Sequence, residues 1–135
     1  MANEIIDLDT FMHAGKAIFT IQNKETKNRF TYKVIKDRKS KFDRWWVRVL
    51  AQHKQWVYLG CIKNGAFVAT PASFKRTTDQ SFIAFKFIFK YRKGITNSKN
   101  LVAYHEGRCG RCGLRLTVPE SIESGFGPEC IKRIR

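Results

Sequence analysis

Three cysteines near the C-terminal end of this 135-residue chain carry its most specific chemistry. Cys109 and Cys112 form a C-x-x-C pair with Gly110 inside it and Gly113 after it, so the backbone can turn tightly and aim N–H groups at two thiolates. Cys130 follows the run Gly125-Phe126-Gly127-Pro128. Pro128 suits the first position of a helix, which puts Cys130 in the first turn, where the positive end of the helix dipole favours a thiolate. Three thiolates so arranged are a metal-ligand set, and one structural Zn2+ is the expected cofactor. Structural zinc takes four ligands. His105, ahead of Cys109 by four positions, is the first candidate for the fourth; Cys61 is its rival, and a water or another residue is the remaining alternative.

The elements that would position these ligands are short. Leu114, Leu116 and Val118 alternate with Arg115 and Thr117, which predicts a strand turning at Pro119 and Glu120. Knuckle, hairpin and ligand-bearing helix together describe a treble-clef-like zinc site. A catalytic zinc would keep one position open beside an acid or base, a role for Glu106, or for His105 in the manner of treble-clef nucleases. No H-E-x-x-H and no H-x-E with P-C-x-x-C is present, so the site reads as structural.

The run HEGRCGRCGLRLTVPESIESGFGPEC resembles the C-terminal signature of a family of uncharacterised phage and bacterial proteins, a domain of unknown function. That signature is close to H-x-G-R-C-G-R-C-G-R-x-L-T-x-P-E-S-I-x-x-G-x-G-P-x-C. The chain departs from it at Leu114, where the family usually has Arg and where no ligand is touched. A weaker likeness continues upstream through Gly15-Lys16-Ala17-Ile18-Phe19-Thr20 and Ser81-Phe82-Ile83-Ala84-Phe85. The resemblance implies a metal site and a phage origin, and supplies no activity.

With 43% hydrophobic residues, the chain is long enough for one compact domain with a metal-stapled appendage. The expected division is an α+β sheet domain over 1–100 and a zinc-binding knuckle packed on it over 101–135. No apolar run reaches the length of a membrane span, and the acidic opening MANEIIDLD is unlike a leader. The expected location is the cytoplasm, that of the host cell if the protein is phage-encoded.

Charge is the second strong signal. Lys and Arg outnumber Asp and Glu by 26 to 11, giving a net charge of +15. So large an imbalance repels itself unless a polyanion is near, which points to nucleic acid and, less often, to an acidic protein or membrane surface. Residues 1–15 hold three acids and no Lys or Arg, residues 24–48 hold ten basic and three acidic residues, and residues 92–135 hold nine against four.

The sheet is read from alternation. Residues 17–23 put Phe19 and Ile21 on one face. Residues 29–35 put Phe30, Tyr32 and Val34 inward, and residues 24–28 make the turn. A minor helix through Phe11, Met12 and Ala14 would be capped by Asp9 or Thr10 and ended by Gly15. Residues 36–41 hold no apolar side chain and predict a solvated, mobile loop. A second hairpin pairs residues 45–50 with 56–62. If Trp45, Val47 and Val49 pack with Val57, Leu59 and Cys61, then Trp46, Arg48, Trp56 and Tyr58 share the other face with Leu50 and Ile62. That face is either a base-stacking platform or a second core surface covered by a helix; both readings stand on the sequence. A tight turn at 63–66 leads to a strand over 67–70 that Pro71 ends. Residues 81–93 follow a helical period, yet residues 85–91 within them also alternate as a strand would. Their start near Thr77, Thr78 and Asp79, together with their length, selects a helix with Phe82, Phe85, Ile88 and Phe89 on one stripe. Residues 94–100 are a polar connector. The fold class is therefore α+β: a small antiparallel sheet of β-hairpins, one main helix and the C-terminal knuckle.

No Ser/His/Asp set, paired-carboxylate signature or phosphate-cradling glycine loop is present, so binding is the expected class and catalysis the weaker one. The expected partner is nucleic acid, single-stranded DNA or RNA in preference to duplex. The contacts would be Lys36, Arg38, Lys39, Lys41, Arg108, Arg111, Arg115, Lys132, Arg133 and Arg135, with Trp46, Arg48, Trp56 and Tyr58 stacking. The alternative is a phage-encoded modulator docking its basic face on a host polymerase or defence complex. No membrane partner is expected.

Overall fold

The computed structural model describes residues 3–94 and 100–134 and, of His53, the backbone alone. Arg135 and residues 95–99 of the expected connector lie outside the described residues.

Six strands form one sheet: β1 (Lys16–Asn23), β2 (Arg29–Lys36), β3 (Arg44–Leu50), β4 (Trp56–Lys63), β5 (Ala66–Val68) and β6 (Leu101–His105). Their order is β5-β4-β3-β2-β1-β6, with every neighbouring pair antiparallel. The alternation read in β1 and β2 has the physical outcome it implies. Ala17, Phe19, Ile21, Tyr32 and Val34 are buried on one face, and Phe30 packs beside them half-buried. β6 brings the chain back to the far edge, directly continuous with the knuckle. The segment before the first helix covers that edge in turn, through Ile5 N–H to Ala103 C=O and His105 N–H to Asn3 C=O.

Helix α2 (Gln80–Lys90) lies across the buried face. Phe82, Phe85, Ile88 and Phe89 are its buried stripe, and Phe85 meets Tyr32 and Phe67 at centroid distances of 4.9 and 4.7 Å. The Tyr32 hydroxyl donates to Ser81 C=O, and its burial holds the phenol well above its ordinary pKa. Helical period wins here because it sets Phe82, Phe85, Ile88 and Phe89 on one stripe against the sheet's buried face, as strand alternation would not.

Three expectations are corrected. Helix α1 (Leu8–Met12) is capped by Asp7, whose carboxylate accepts from Thr10 N–H, and it is far from minor: Leu8, Phe11 and Met12 are fully buried. Residues 114–118 contribute one isolated bridge, Arg108 to Arg115, in place of a strand, and Pro119 opens a short helix α3 (Pro119–Ser124) instead of ending a hairpin. Finally, a β-bulge between β3 and β4 changes the phase of β4. Val49 pairs with Val57 and Arg48 with Tyr58, but Val47 pairs with Gly60, leaving Leu59 as the extra residue. Ile62 therefore joins the core opposite Trp45, and Cys61 falls opposite Trp46 on the outer face, the reverse of the simple alternation.

Candidate metal centre and outer sheet face

Helix α4 (Pro128–Arg133) begins at Pro128 and carries Cys130 in its first turn. The Sγ atoms of Cys109, Cys112 and Cys130 lie within 4.8 Å of one another. Zinc with bonds of about 2.3 Å in a tetrahedron sets sulfur pairs about 3.8 Å apart, so the group needs to contract by at most about an ångström to hold such an ion. The surroundings fit a cluster of thiolates. Burial opposes ionisation of Cys109, but the N–H groups of Gly127, Cys112 and Arg111, with the Cys112 thiol, outweigh it and bring the Cys109 pKa below the ordinary thiol value. Cys112 is pushed up instead, by burial first and then by the neighbouring sulfurs of Cys109 and Cys130, with Leu114 N–H in partial opposition. Sulfurs that cannot all be anionic beside one another become so when a cation sits between them. These three cysteines can hold a metal ion.

The knuckle's position depends on Phe11. A Cβ at Gly110 would come 2.6 Å from the Phe11 ring, and one at Gly125 3.0 Å from it. Both sites therefore require glycine for close approach, and Gly125 also closes α3 in the left-handed conformation with φ 82°. Phe126 lies 5.6 Å from the same ring.

His105 is not brought into the sulfur group. It is 3% exposed, stacked on Phe11, and tied at both ring nitrogens. Gly107 N–H donates to Nδ1 at 3.0 Å and the Nε2 atom is hydrogen-bonded to Ile122 C=O, which describes a neutral ring protonated on Nε2. It joins β6 to α3 where the sequence had it as the fourth ligand. Cys61 is buried in β4, outside the group. Among the described residues no fourth Cys, His, Asp or Glu completes the set. Arg111 reaches two of the sulfurs: its backbone N–H donates to Cys109 Sγ at 3.4 Å and its Nη1 to Cys130 Sγ at 3.5 Å.

The second region is the outer face of the sheet. Directly paired residues share a face, so the registers assemble two rows: Ile18, Lys33, Arg48 and Tyr58, then Lys16, Ile35, Trp46, Cys61 and Val68. Trp56, opposite Leu50, lies on the same side. The buried stripe of α2 meets the opposite face, through Tyr32 and Phe67, and Trp46, Trp56 and Tyr58 are each half-buried. Each ring has a cation over it: Lys33 Nζ 4.4 Å from Trp56, Arg44 Cζ 5.4 Å from Trp46 and Arg48 Cζ 6.0 Å from Tyr58. Lys33 has its pKa lowered, by burial and then by the charge of Arg48. Arg44 Nε is buried with no hydrogen-bond partner. Lys33 and Arg44 were not singled out as site residues from the sequence, because only the cross-strand register sets them beside the rings.

The remaining sequence candidates scatter. Lys36 lies over the Trp45 ring and pairs with Asp43 at 3.7 Å, away from the outer face. Arg38, Lys39 and Lys41 are exposed on the β2–β3 loop, which is not featureless: Asp37 N–H bonds Arg44 C=O across its base and Asp37 accepts from Lys39 N–H. Arg108 and Arg115 are exposed together at the knuckle's bridge. Lys132 pairs with Glu129, and Arg133 is exposed at the end of α4.

Fold and site thus define an α+β protein with a six-stranded antiparallel sheet and a C-terminal three-cysteine cluster. Residues 99–135 match a protein family of unknown function, DUF6011. The match spans the segment that carries the cysteines and stops short of the upstream stretches. No curated protein and no solved structure matches the chain. No helix among the described residues is long and apolar enough to cross a membrane.

Proposed function

We propose that this protein binds single-stranded DNA or RNA on the outer face of its sheet, without catalysis, and that one structural Zn2+ held by Cys109, Cys112 and Cys130 fixes the knuckle beside it. The reading rests on one observation: aromatic and cationic side chains alternate across the sheet face opposite the one that α2 covers. Bases stack on rings and on guanidinium planes alike, and phosphates take the cations that the rings now hold. The unrelieved charge at Lys33 is what a polyanion would neutralise. If the chain is phage-encoded, as the C-terminal resemblance implies, it would meet its polymer in the host cytoplasm.

The test is oligonucleotide binding by fluorescence anisotropy over a range of salt. The logarithm of affinity is expected to fall linearly with that of salt, by about 0.7 per phosphate contact. Trp56→Ala is expected to cost about 1–3 kcal/mol of binding; affinity equal to the wild type's would overturn the platform.

A second reading, docking on an acidic host protein complex such as a polymerase or a defence system, draws on α2. Ile83, Phe87 and Tyr91 stand a turn apart, 55%, 52% and 48% exposed, with Lys86 and Lys90 exposed on the same helix. A single stoichiometric protein partner that survives nuclease treatment would favour it. A nuclease using His105 as base is the weakest reading, since that ring is buried and bonded at both nitrogens.

A further inference from the structure

A second basic feature lies where α1, the chain following α2, the knuckle and α4 meet. It is a depression of about 530 Å³. Arg92, Lys93, Arg111 and Arg133 line it, drawn from three separate stretches of sequence, along with His13 and the single carboxylate Asp9. Gathering cations in one hollow is unfavourable unless an anion occupies it.

Asp9 is already engaged. Its carboxylate takes Arg92 Nε at 2.6 Å, while Arg92 Nη1 donates to Phe89 C=O at 2.8 Å and the guanidinium lies 4.1 Å over the Phe89 ring. Arg92 is thereby a fixed wall. Lys93 and Arg133 have no ion pair among the described residues, and Arg111 has only the Cys130 sulfur beside one nitrogen. The hollow thus holds two unpaired cations and one weakly engaged guanidinium around a volume that accommodates a small polar group with its substituent.

The geometry points to a phosphate-binding pocket at this junction, formed by Lys93, Arg111 and Arg133 against the wall of Arg92. A phosphate monoester carries nearly two charges and three strong acceptor oxygens, which matches converging cations better than a carboxylate, with its single charge and two oxygens. The group would be either the terminal phosphate of a polynucleotide or free phosphate. The first source rests on the proposed nucleic-acid reading; the second does not.

The experiment compares three probes on the full chain: inorganic phosphate, a 5′-phosphorylated oligonucleotide and its 5′-hydroxyl counterpart. Phosphate is followed by 31P line broadening and the oligonucleotides by anisotropy. Both are repeated on the double variant Lys93→Gln/Arg133→Gln, whose positions are exposed. A preference of about tenfold for the phosphorylated strand, lost in the double variant and kept in Trp56→Ala, identifies the polynucleotide end as the source. Broadening by inorganic phosphate that disappears in the double variant, with both strands bound equally or not at all, identifies free phosphate and leaves the pocket standing even if the stacking platform fails. If neither inorganic phosphate nor the phosphorylated strand distinguishes wild type from the double variant, the pocket does not exist.

Discussion

The knuckle and the outer sheet face are opposite solutions to the cost of polar groups. At the centre of the knuckle polar groups are bonded inward: sulfurs accept backbone N–H groups, His105 is bonded at both nitrogens, and Phe11 packs on the glycines. On the sheet the cations stay half-exposed over rings and do little for stability, each pair contributing about 0.5–1 kcal/mol. One region is closed around its own polar groups, and the other stays half-exposed. Substitutions should therefore separate cleanly, unfolding without a specific binding defect in the first and the reverse in the second.

The largest effect should follow loss of a sulfur. Cys109→Ser, or a strong chelator, is expected to release one metal ion per chain in native mass spectrometry and to destabilise the protein by several kcal/mol, since binding of a structural metal is folding free energy. Cys61→Ser should leave the metal count unchanged. His105→Ala sharpens the contrast. The ion should stay bound while stability falls by about 2–4 kcal/mol, because Gly107 N–H and Ile122 C=O lose their partner in a buried place. Loss of the metal in this variant would restore His105 as a ligand.

Phe11→Ala is expected to cost about 3–5 kcal/mol, second to the loss of a sulfur. Because this ring touches Gly110, Gly125, His105 and Phe126, limited proteolysis should cut first within the knuckle. Uniform protection of that segment would show that it docks by other means.

The smallest effect lies on the sheet. Lys33→Met should alter stability by no more than about 0.5 kcal/mol near neutral pH, as surface changes do, yet weaken polyanion binding by one cation. Its pH signature has a definite sign. The folded Lys33 pKa is lowered, so the unfolded chain holds that proton more tightly, and wild-type stability rises with pH between the lowered value and the ordinary lysine value of 10.5. In Lys33→Met that contribution should vanish from urea titrations across the alkaline range.

Some of this was written in the sequence at short range. Phe19, Ile21, Tyr32 and Val34 announce their face by strict alternation, and Cys109, Cys112 and Pro128 announce a ligand set through spacing and a helix start. Where the reading failed, a distant partner decided. Alternation in β4 was counted correctly through Val57 and Leu59, but a bulge against β3 reversed it, moving Cys61 outward and Ile62 inward. His105 had ligand spacing along the chain, yet α3, folding back over it, supplied the Ile122 carbonyl first. Helix α1 looked peripheral because its importance lies in what Phe11 touches more than ninety residues later.

The sequence by itself determined the spacing of the three cysteines, the charge imbalance and the strand faces of the first hairpin, because periodicity, spacing and net charge are local or additive properties. Tertiary structure alone decided which cations stand over which rings, that His105 is bonded to Ile122 outside the sulfur group, and that Arg92, Lys93, Arg111 and Arg133 line one hollow. Those facts depend on register and on the meeting of remote segments, which only the packed chain fixes.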